Sequence, residues 1–350
     1  MKLPLISVLL PVYNADLFLD QAIQSILNQT LKDYELIILD DGSTDNSGII
    51  LKKYENVAKV YYLQHQPLYK VLNNGLEIAC GKYIARMDAD DIAIPDRFYK
   101  QVSVLEANSN IGIVGGEAIL IDKNGKAYGR LALQSKSLVI QWEKLVRNPF
   151  IHPTVMYRAS LLRENRLCYQ DFPYAEDYAL WIRMLHLSDG YNLPEPLLKY
   201  RIHGKNISLS RQKLQFNSHC HISYEAIKDE IPKSSIFFEE VETLVKVMFA
   251  NLSDYPRLIR ERKLASQVYL KLLDQFCRKY SDRQEIQEVK KLAVSRLVYW
   301  LLFPPMPEGW FGTFNELRRL DHNWVETIVG RLPSLLSSWR QKSKLWNNQK

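Results

Sequence analysis

Lys82-Tyr83-Ile84-Ala85-Arg86-Met87-Asp88-Ala89-Asp90-Asp91-Ile92-Ala93-Ile94-Pro95 is the stretch that decides the fold. Its first six residues read as a buried strand and its last four as a turn. Three carboxylates therefore sit where a strand runs out of its sheet. Grouped there, they repel one another and lose hydration. A divalent cation relieves both problems, and hard oxygen ligands of this kind suit Mg²⁺ or Mn²⁺. A metal held by one or two carboxylates fills its other positions with water and substrate phosphates. The stretch points to an enzyme that handles a nucleotide diphosphate.

Upstream, residues 5–13 read as a first strand ending in a turn at Asn14. Residues 16–29 have helical spacing, with Leu19, Ala22, Ile23, Ile26 and Leu27 on one face. Tyr34-Glu35-Leu36-Ile37-Ile38-Leu39 is a second strand. The turn Asp40-Asp41-Gly42-Ser43-Thr44-Asp45 is rich in helix-capping residues and leads into a helix that ends near Tyr54. A third strand spans 57–63, and a helix 70–79. Three strand–helix units in a row predict an α/β fold with a mostly parallel twisted sheet flanked by helices.

Downstream, 97–108 reads as a helix, 111–116 and 118–121 as two short strands, and Asn124-Gly125 as a hairpin turn. Pro153-Thr154-Val155-Met156-Tyr157 reads as a strand and 177–187 as a helix. From about 211 the pattern is helical and charged. Residues 1–215 form the α/β domain in this reading, and 216–350 a smaller helical, basic region. The boundary falls within 210–235, where Glu230-Ile231-Pro232 breaks the pattern.

Open parallel sheets bind ligands beyond the carboxyl ends of their strands, where strand order reverses. Pro11-Val12-Tyr13-Asn14, Asp40-Asp41-Gly42-Ser43 and Asp88-Ala89-Asp90-Asp91 all follow strands. Each alone reads equally as a cap or a turn. Together, on one sheet edge, they point to a nucleotide site. An Asp after the second strand can accept a hydrogen bond from a base or ribose, and Tyr13 can stack on the base. Glu176-Asp177 opens a helix, which reads either as capping or as a general base for a sugar hydroxyl. Tyr200-Arg201-Ile202-His203-Gly204-Lys205-Asn206-Ile207-Ser208 reads either as a loop closing on the diphosphate or as a solvated linker. His152, His219 and His221 read as structural.

Other sites are excluded. A calcium loop starting at Asp88 needs Gly and Glu where Ala93 and Tyr99 stand. The chain has no G-x-x-x-x-G-K-[ST], no G-x-G-x-x-G after the first strand and no G-x-S-x-G. Four scattered cysteines with no C-x-x-C pair suggest neither a zinc ribbon nor a disulfide scaffold, and fit a reducing cytoplasm.

Residues 1–210 carry 23 basic and 23 acidic side chains, so the whole net charge of +7 lies in 211–350. That excess reads first as solvated helix faces, and otherwise as a surface for an anionic membrane or nucleic acid. The apolar N-terminal run is interrupted by Pro4 and Pro11, with no signal-type cleavage site after it, and reads as a strand. No apolar run reaches the roughly 20 residues that span a bilayer. The aromatic cluster around Tyr299, Trp300, Phe303, Trp310 and Phe311 reads either as a membrane-interface element or as a packed helix.

Ser7-Val8-Leu9-Leu10-Pro11-Val12-Tyr13-Asn14 resembles the opening strand of glycosyltransferase family 2, the inverting nucleotide-diphospho-sugar transferases with the GT-A fold. Ser25-Ile26-Leu27-Asn28-Gln29-Thr30 resembles its first-helix end. Glu35 to Asp45 resembles its second strand and base-binding turn. Asn73-Asn74-Gly75-Leu76 with Ala79-Cys80-Gly81-Lys82 resembles the approach to its metal motif. Asp88-Ala89-Asp90-Asp91 resembles its D-x-D, Pro95-Asp96-Arg97-Phe98 with Gln101 a common continuation, and Glu176-Asp177 its E-D pair. The likeness covers about residues 4–208, and the order and spacing of these short motifs make it specific.

The resemblance implies a divalent metal, Mn²⁺ or Mg²⁺, at Asp90 and Asp91. It implies Asp177, beside Glu176, as catalytic base. It implies a nucleotide-sugar site drawn from Pro11, Val12, Tyr13, Asn14, Asp40, Asp41, Asn74, Asp88, Asp90, Arg201 and His203. Gln66-Pro67-Leu68-Tyr69-Lys70 departs from the Gly-containing loop many members have there. The membrane helices and Q-x-x-R-W motif of the family's processive synthases are not in the sequence, which implies single sugar additions. The expected enzyme is cytoplasmic, or peripheral on the inner face of the plasma membrane. It moves a sugar to a glycan or lipid-linked acceptor in surface polysaccharide synthesis and binds no nucleic acid. The competing class is a non-catalytic nucleotide-sugar-binding or scaffold subunit.

Overall fold

β1 (Ile6–Val12) is the spine of the sheet, paired in parallel with β2 (Tyr34–Asp40) on one side and β4 (Tyr83–Arg86) on the other. Successive side chains of a strand point to opposite faces, and both faces of β1 are apolar. Val8 and Leu10 join one core cluster with Ile23, Ile26, Met87 and Phe98. Leu9 joins another with Ile37, Leu39, Val71 and Leu72. Helix α1 (Leu19–Leu27) covers the first face, burying Leu19, Ala22, Ile23 and Ile26. Helix α3 (Leu68–Ile78) supplies Val71 and Leu72 to the second. This computed structural model describes residues 3–203, 212–232, 234–250 and 257–302. The loop read at 204–208 and the aromatic residues beyond 302 lie outside them.

The sheet runs β3-β2-β1-β4-β8-β6-β9-β5, with β7 on β6. β3 (Lys59–Tyr62) extends the parallel half, and α2 (Ser47–Lys52) links it to β2. The other half is mixed. β8 (Met156–Arg158) is antiparallel to β4 and to β6 (Ile111–Ile121). β9 (Asp189–Arg201) is parallel to β6, β5 (Ile92–Ala93) antiparallel to β9, and β7 (Ala127–Leu131) a hairpin on β6. Helices α4 (Arg97–Ala107), α6 (Ala159–Asn165) and α7 (Glu176–Leu187) complete this unit, with α5 (Ser137–Glu143) leaving it.

Several elements differ from the sequence reading. The two strands read over 111–121 are one, continuous through Glu117, which is buried and paired with Arg130. Residues 189–201, unread because Pro194 and Pro196 break strand patterns, form β9. The register slips between Gly116 and Glu117, so that Leu193 and Pro196 face consecutive residues and Pro194 and Glu195 bulge out. Tyr200 and Arg201 thus belong to a strand. Residues 153–154 lie in a 3₁₀ turn (His152–Thr154), and the strand begins at Met156. Ile92-Ala93, read as turn, is β5.

The chain divides into two compact units, Met1–Gln141 with Asn148–Ser218, and Trp142–Arg147 with His219–Lys350. The second is helical: most of α8 (Gln212–Glu230), then α9 (Phe238–Phe249), α10 (Ile259–Lys279) and α11 (Ile286–Leu302). Within it, Trp142 Nε1 donates to Tyr269 Oη at 3.0 Å. Arg296 and Arg147 flank the buried Glu143, holding its carboxyl down against the opposing effect of burial. Buried Glu230 meets Lys144 at 3.1 Å and Tyr280 Oη at 2.6 Å.

Gly81 opens β4 against β1. A Cβ there would lie 2.4 Å from Ser7 N and 2.7 Å from Ile6 C, both main chain. Gly48, inside α2, has open space instead, with nothing within 4 Å of where a Cβ would stand. Gly81→Ala should lose about 1–3 kcal/mol by overpacking, and Gly48→Ala should gain about 0.5–1 kcal/mol by helix propensity. Urea unfolding of the two variants beside the parent checks both signs.

Candidate active site

Strand order reverses at β1, so the carboxyl ends of β1, β2 and β4 open side by side. In register, Val12 faces Asp40 and Leu9 faces Arg86, while Val12 O accepts the Asp41 N–H at 2.8 Å. Pro11 and the buried Val12 contribute strand backbone. Asn14 stands at φ 50°, a left-handed conformation that Asn tolerates better than most residues. Its Oδ1 accepts N–H groups of Thr44 at 2.8 Å and Asp45 at 3.3 Å. Its own N–H donates to Ser43 Oγ at 3.0 Å, and Ser43 N–H donates to Asp40 Oδ1 at 3.2 Å. Asn14 therefore ties the loop after β1 to the loop after β2.

Asp41 is buried, and burial raises its pKa against the opposing Gln66 N–H and His65. Gln66 N–H donates to Oδ1 at 2.9 Å, and His65 Nδ1 lies 2.8 Å from Oδ2. The His65 ring stacks on exposed Tyr13, centroids 4.3 Å apart and planes 19° apart. The segment that departs from the family pattern thus brings Gln66 to Asp41 through its main chain. Asn74 lies half-buried on α3. Its neighbour Asn73 makes the tertiary bonds, exchanging hydrogen bonds with the Tyr169 main chain at 2.9 Å each way.

Asp88, Asp90 and Asp91 each offer an oxygen within 4.8 Å of the others. Asp88 pairs with Arg86. Asp90 Oδ2 lies 2.9 Å from His203 Nε2. Asp91 Oδ1 accepts the Arg201 N–H at 2.8 Å, while its Oδ2 is buried without a hydrogen-bond partner. Burial and the charges of Asp90 and Asp88 push the Asp91 carboxyl well above its ordinary pKa. A buried orphan oxygen beside two more carboxylates fits a divalent cation. Arg201 clamps the turn: Nε donates to Asp90 O at 2.8 Å, Nη2 to Gln21 Oε1 at 2.9 Å, and its guanidinium lies 4.5 Å above the Phe18 ring. β9 ends at Arg201, two residues before His203, so the end of that strand brings both to the acidic turn.

Beneath the turn, Arg97 is fully buried and donates to Arg86 O at 2.7 Å and Val155 O at 3.2 Å. Burial, then Arg86, lowers its pKa to about 9. Gln101 Nε2 donates to Val114 O and Thr154 O at 2.8 Å each. These side chains of α4 satisfy main-chain carbonyls where β4, β8 and β6 part.

Asp177, in the first turn of α7, has Oδ2 2.7 Å from the donating Asn148 Nδ2 and 3.9 Å from His152 Nδ1. Burial raises its pKa, opposed by the Tyr178 N–H, Asn148 and Arg86. His152 Nε2 lies 3.2 Å from Tyr169 Oη, and the Trp181 ring backs both. His152, read as structural, therefore borders the candidate base. Tyr174, just before α7, is held at φ 61°, which strains a bulky residue. Arg86, His65, Gln66, Asn148, His152 and Tyr169 were not read as site residues. Of these, Arg86 alone left a signal, a cation inside an apolar strand.

Glu176 is pushed up to about 7, first by burial and then by the Asp177 charge. A carboxyl whose pKa is raised on folding favours the folded state while protonated. That stability is complete below its ordinary value of 4.5 and is lost as pH rises to about 7. In metal-free protein at pH 8, Glu176→Gln should therefore be the more stable by on the order of 2 kcal/mol, the gap closing towards pH 4.5. Urea midpoints across that range measure it.

A family model described as Glycosyl transferase family 2 matches residues 7–166. An uncharacterised glycosyltransferase of Haemophilus influenzae is 37% identical over 221 residues, covering 59% of this chain and 68% of the relative. The O-antigen biosynthesis glycosyltransferase WbnJ of Escherichia coli is 36% identical over 218 residues, covering 59% and 84%. Among solved structures, residues 1–349 of S. aureus TarS with UDP-GlcNAc align with TM-score 0.57 at 15% identity, over 93% of this chain and 92% of that one. The likeness to TarS is one of fold.

Proposed function

The chain is a glycosyltransferase belonging to family 2, and from that premise we propose that it makes single, inverting sugar transfers from a nucleotide-diphosphate donor to a hydroxyl of a glycan or lipid-linked acceptor. One observation carries the reading. Asp88, Asp90 and Asp91 bring their oxygens within 4.8 Å of one another after β4, and Asp91 Oδ2 is buried without a hydrogen-bond partner, an arrangement that favours a cation-assisted departure of a diphosphate. The O-antigen role in the name of WbnJ favours a polysaccharide acceptor, and the UDP-GlcNAc in TarS favours a nucleotide-sugar donor.

In this reading the base stacks on the exposed face of Tyr13, which His65 backs from the other side, and Asp41 accepts its N–H. Asp40, Asp90 and His203 face the ribose and diphosphate, and Arg201 holds the turn they share. Asp90 and Asp91 would hold Mn²⁺ or Mg²⁺, which when bound would supply charge to neutralise the departing diphosphate. Asp177 takes the acceptor's hydroxyl proton as that oxygen forms its bond to the anomeric carbon. The carbon–oxygen bond to the diphosphate breaks with its electron pair leaving on the phosphate. One displacement inverts the carbon. Asn148 aims the Asp177 carboxylate, and Glu176 fixes the helix start beside it.

We place the catalytic function in 1–215. To 216–350, with its excess positive charge, we give contact with an anionic cytoplasmic membrane surface. No helix among the described residues is long and apolar enough to cross a membrane.

Transfer from a panel of UDP-, GDP- and dTDP-sugars with Mn²⁺ tests the activity. Asp177→Asn should lower kcat by about 10²–10⁴-fold, and near-parental turnover would remove Asp177 as base. Asp91→Asn should abolish the Mn²⁺-dependent part of the rise in melting temperature that nucleotide diphosphates produce. Donor binding with no transfer to any acceptor would favour a scaffold subunit instead.

A further inference from the structure

His152 opens the 3₁₀ turn, and its ring is held by two others. The Trp181 ring stands 5.7 Å away between centroids and the Tyr169 ring 5.8 Å. Tyr169 is itself fixed, because Asn73 grips its main chain. Three polar atoms then form a chain. Tyr157 Oη lies 3.4 Å from Tyr169 Oη, and Tyr169 Oη lies 3.2 Å from His152 Nε2.

Hydrogen-bond accounting orders this chain. Both phenols are fully buried, and burial raises their pKa values, so each keeps its hydrogen. Among the described residues, Tyr157 Oη has no partner but Tyr169 Oη. A buried hydroxyl hydrogen left unbonded is costly, so Tyr157 donates to Tyr169. The Tyr169 hydrogen then goes to His152 Nε2. Burial, then Arg86, holds His152 well below its ordinary pKa, so its ring is neutral and carries one hydrogen. That hydrogen is on Nδ1, the nitrogen nearer Asp177.

Nδ1 and Asp177 Oδ2 are 3.9 Å apart, too far for a hydrogen bond between them. His152 keeps 11% of its side chain exposed and Asp177 15%, so the pair is within reach of a ligand. An oxygen about 2.8 Å from each atom would fit between them, accepting from Nδ1 and donating to Oδ2. Only a group that both accepts and donates satisfies the two ends, as a hydroxyl does. Asn148 Nδ2 and the Tyr178 N–H hold the carboxylate in place, each donating at 2.7 Å.

We propose that His152 seats the acceptor: its Nδ1–H binds the attacking hydroxyl and turns that hydroxyl's proton towards Asp177. The proposal rests on Asp177 being the base. One lone pair of the hydroxyl oxygen accepts from His152, and the other attacks the anomeric carbon. The O–H bond breaks and its proton passes to Asp177 Oδ2. The new carbon–oxygen bond forms as the diphosphate oxygen leaves with the electron pair of the bond it loses. His152 keeps its own proton throughout. Its part is to fix where the nucleophile stands and which way its hydrogen points.

Nitrogen-15 NMR of the histidine rings at neutral pH reads the tautomer, with His152 assigned from its own backbone resonances. A hydrogen on Nδ1 is expected, and a hydrogen on Nε2 overturns the proposal. Turnover then separates seating from packing. The donor is the nucleotide sugar selected by the panel above, and its total consumption is followed with p-nitrophenyl glycosides and water as acceptors. In His152→Asn the amide nitrogen stands near the place of Nδ1, and in His152→Gln near that of Nε2. His152→Asn should keep turnover within about threefold of the parent, while His152→Gln should lose about tenfold, the worth of one hydrogen bond. Nucleotide-diphosphate affinity should be unchanged in both. Equal turnover of the two variants, or an affinity that falls in step with turnover, marks a structural role and overturns the proposal. If the variants do not fold, the tautomer of the parent protein decides. Asp177→Asn separates this proposal from the reading beneath it. An active Asp177→Asn removes the base, whereas an inactive one beside equal His152→Asn and His152→Gln removes His152 alone.

Discussion

Carboxylates crowded at the ends of buried strands require compensating positive charge, and the α/β unit is arranged around that requirement. Asp88, Asp90 and Asp91 place their oxygens within 4.8 Å of one another, and burial penalises the ionisation of Asp88 and Asp91. The protein supplies Arg86 from below and the Arg201 main chain from the side, and it leaves Asp91 Oδ2 unpartnered. Neutral packing would be more stable at such a place. The residual imbalance is what a cation and a diphosphate can satisfy.

The scaffold beneath this turn is polar where an ordinary core would be apolar. Arg97 and Gln101 on α4 reach the carbonyls of Arg86, Val155, Val114 and Thr154. β4, β8 and β6 diverge there, and their carbonyls would otherwise be buried without donors. Side chains from one helix thus lock three strands. That rigidity fixes the roots of Arg86 and of the acidic turn. The surroundings of Asp177 are built differently. Asp177 rests on Asn148 and a wall of His152, Tyr169 and Trp181, and Asn73 pins the Tyr169 main chain from α3.

The parallel half of the sheet and its loops were legible because their signals are local. Apolar runs of strand length alternate with helical spacing, and Asn14, Asp40, Asp41 and Asp88 to Asp91 stand at run ends. The second half was not legible for an equally physical reason. β9 contains two prolines, and only a bulge against β6 lets it remain a strand. Glu117 inside β6 looks like a break until Arg130 is set beside it. His65 carries no signal in its own neighbourhood, since its meaning comes from Tyr13 and Asp41, some 24 residues or more away in sequence.

By itself the sequence determined which residues can carry charge, where strands give way to turns, and that the acidic turns follow strands. Those are properties of short segments, set by side-chain type and spacing. Only the tertiary structure decided that Arg86 pairs with Asp88, that the end of β9 returns Arg201 and His203 to the turn, and that Asn148 and His152 border Asp177. Such meetings join residues far apart in the chain. They arise because backbone hydrogen bonds and apolar burial, which are indifferent to function, fix the strand order that brings these side chains face to face.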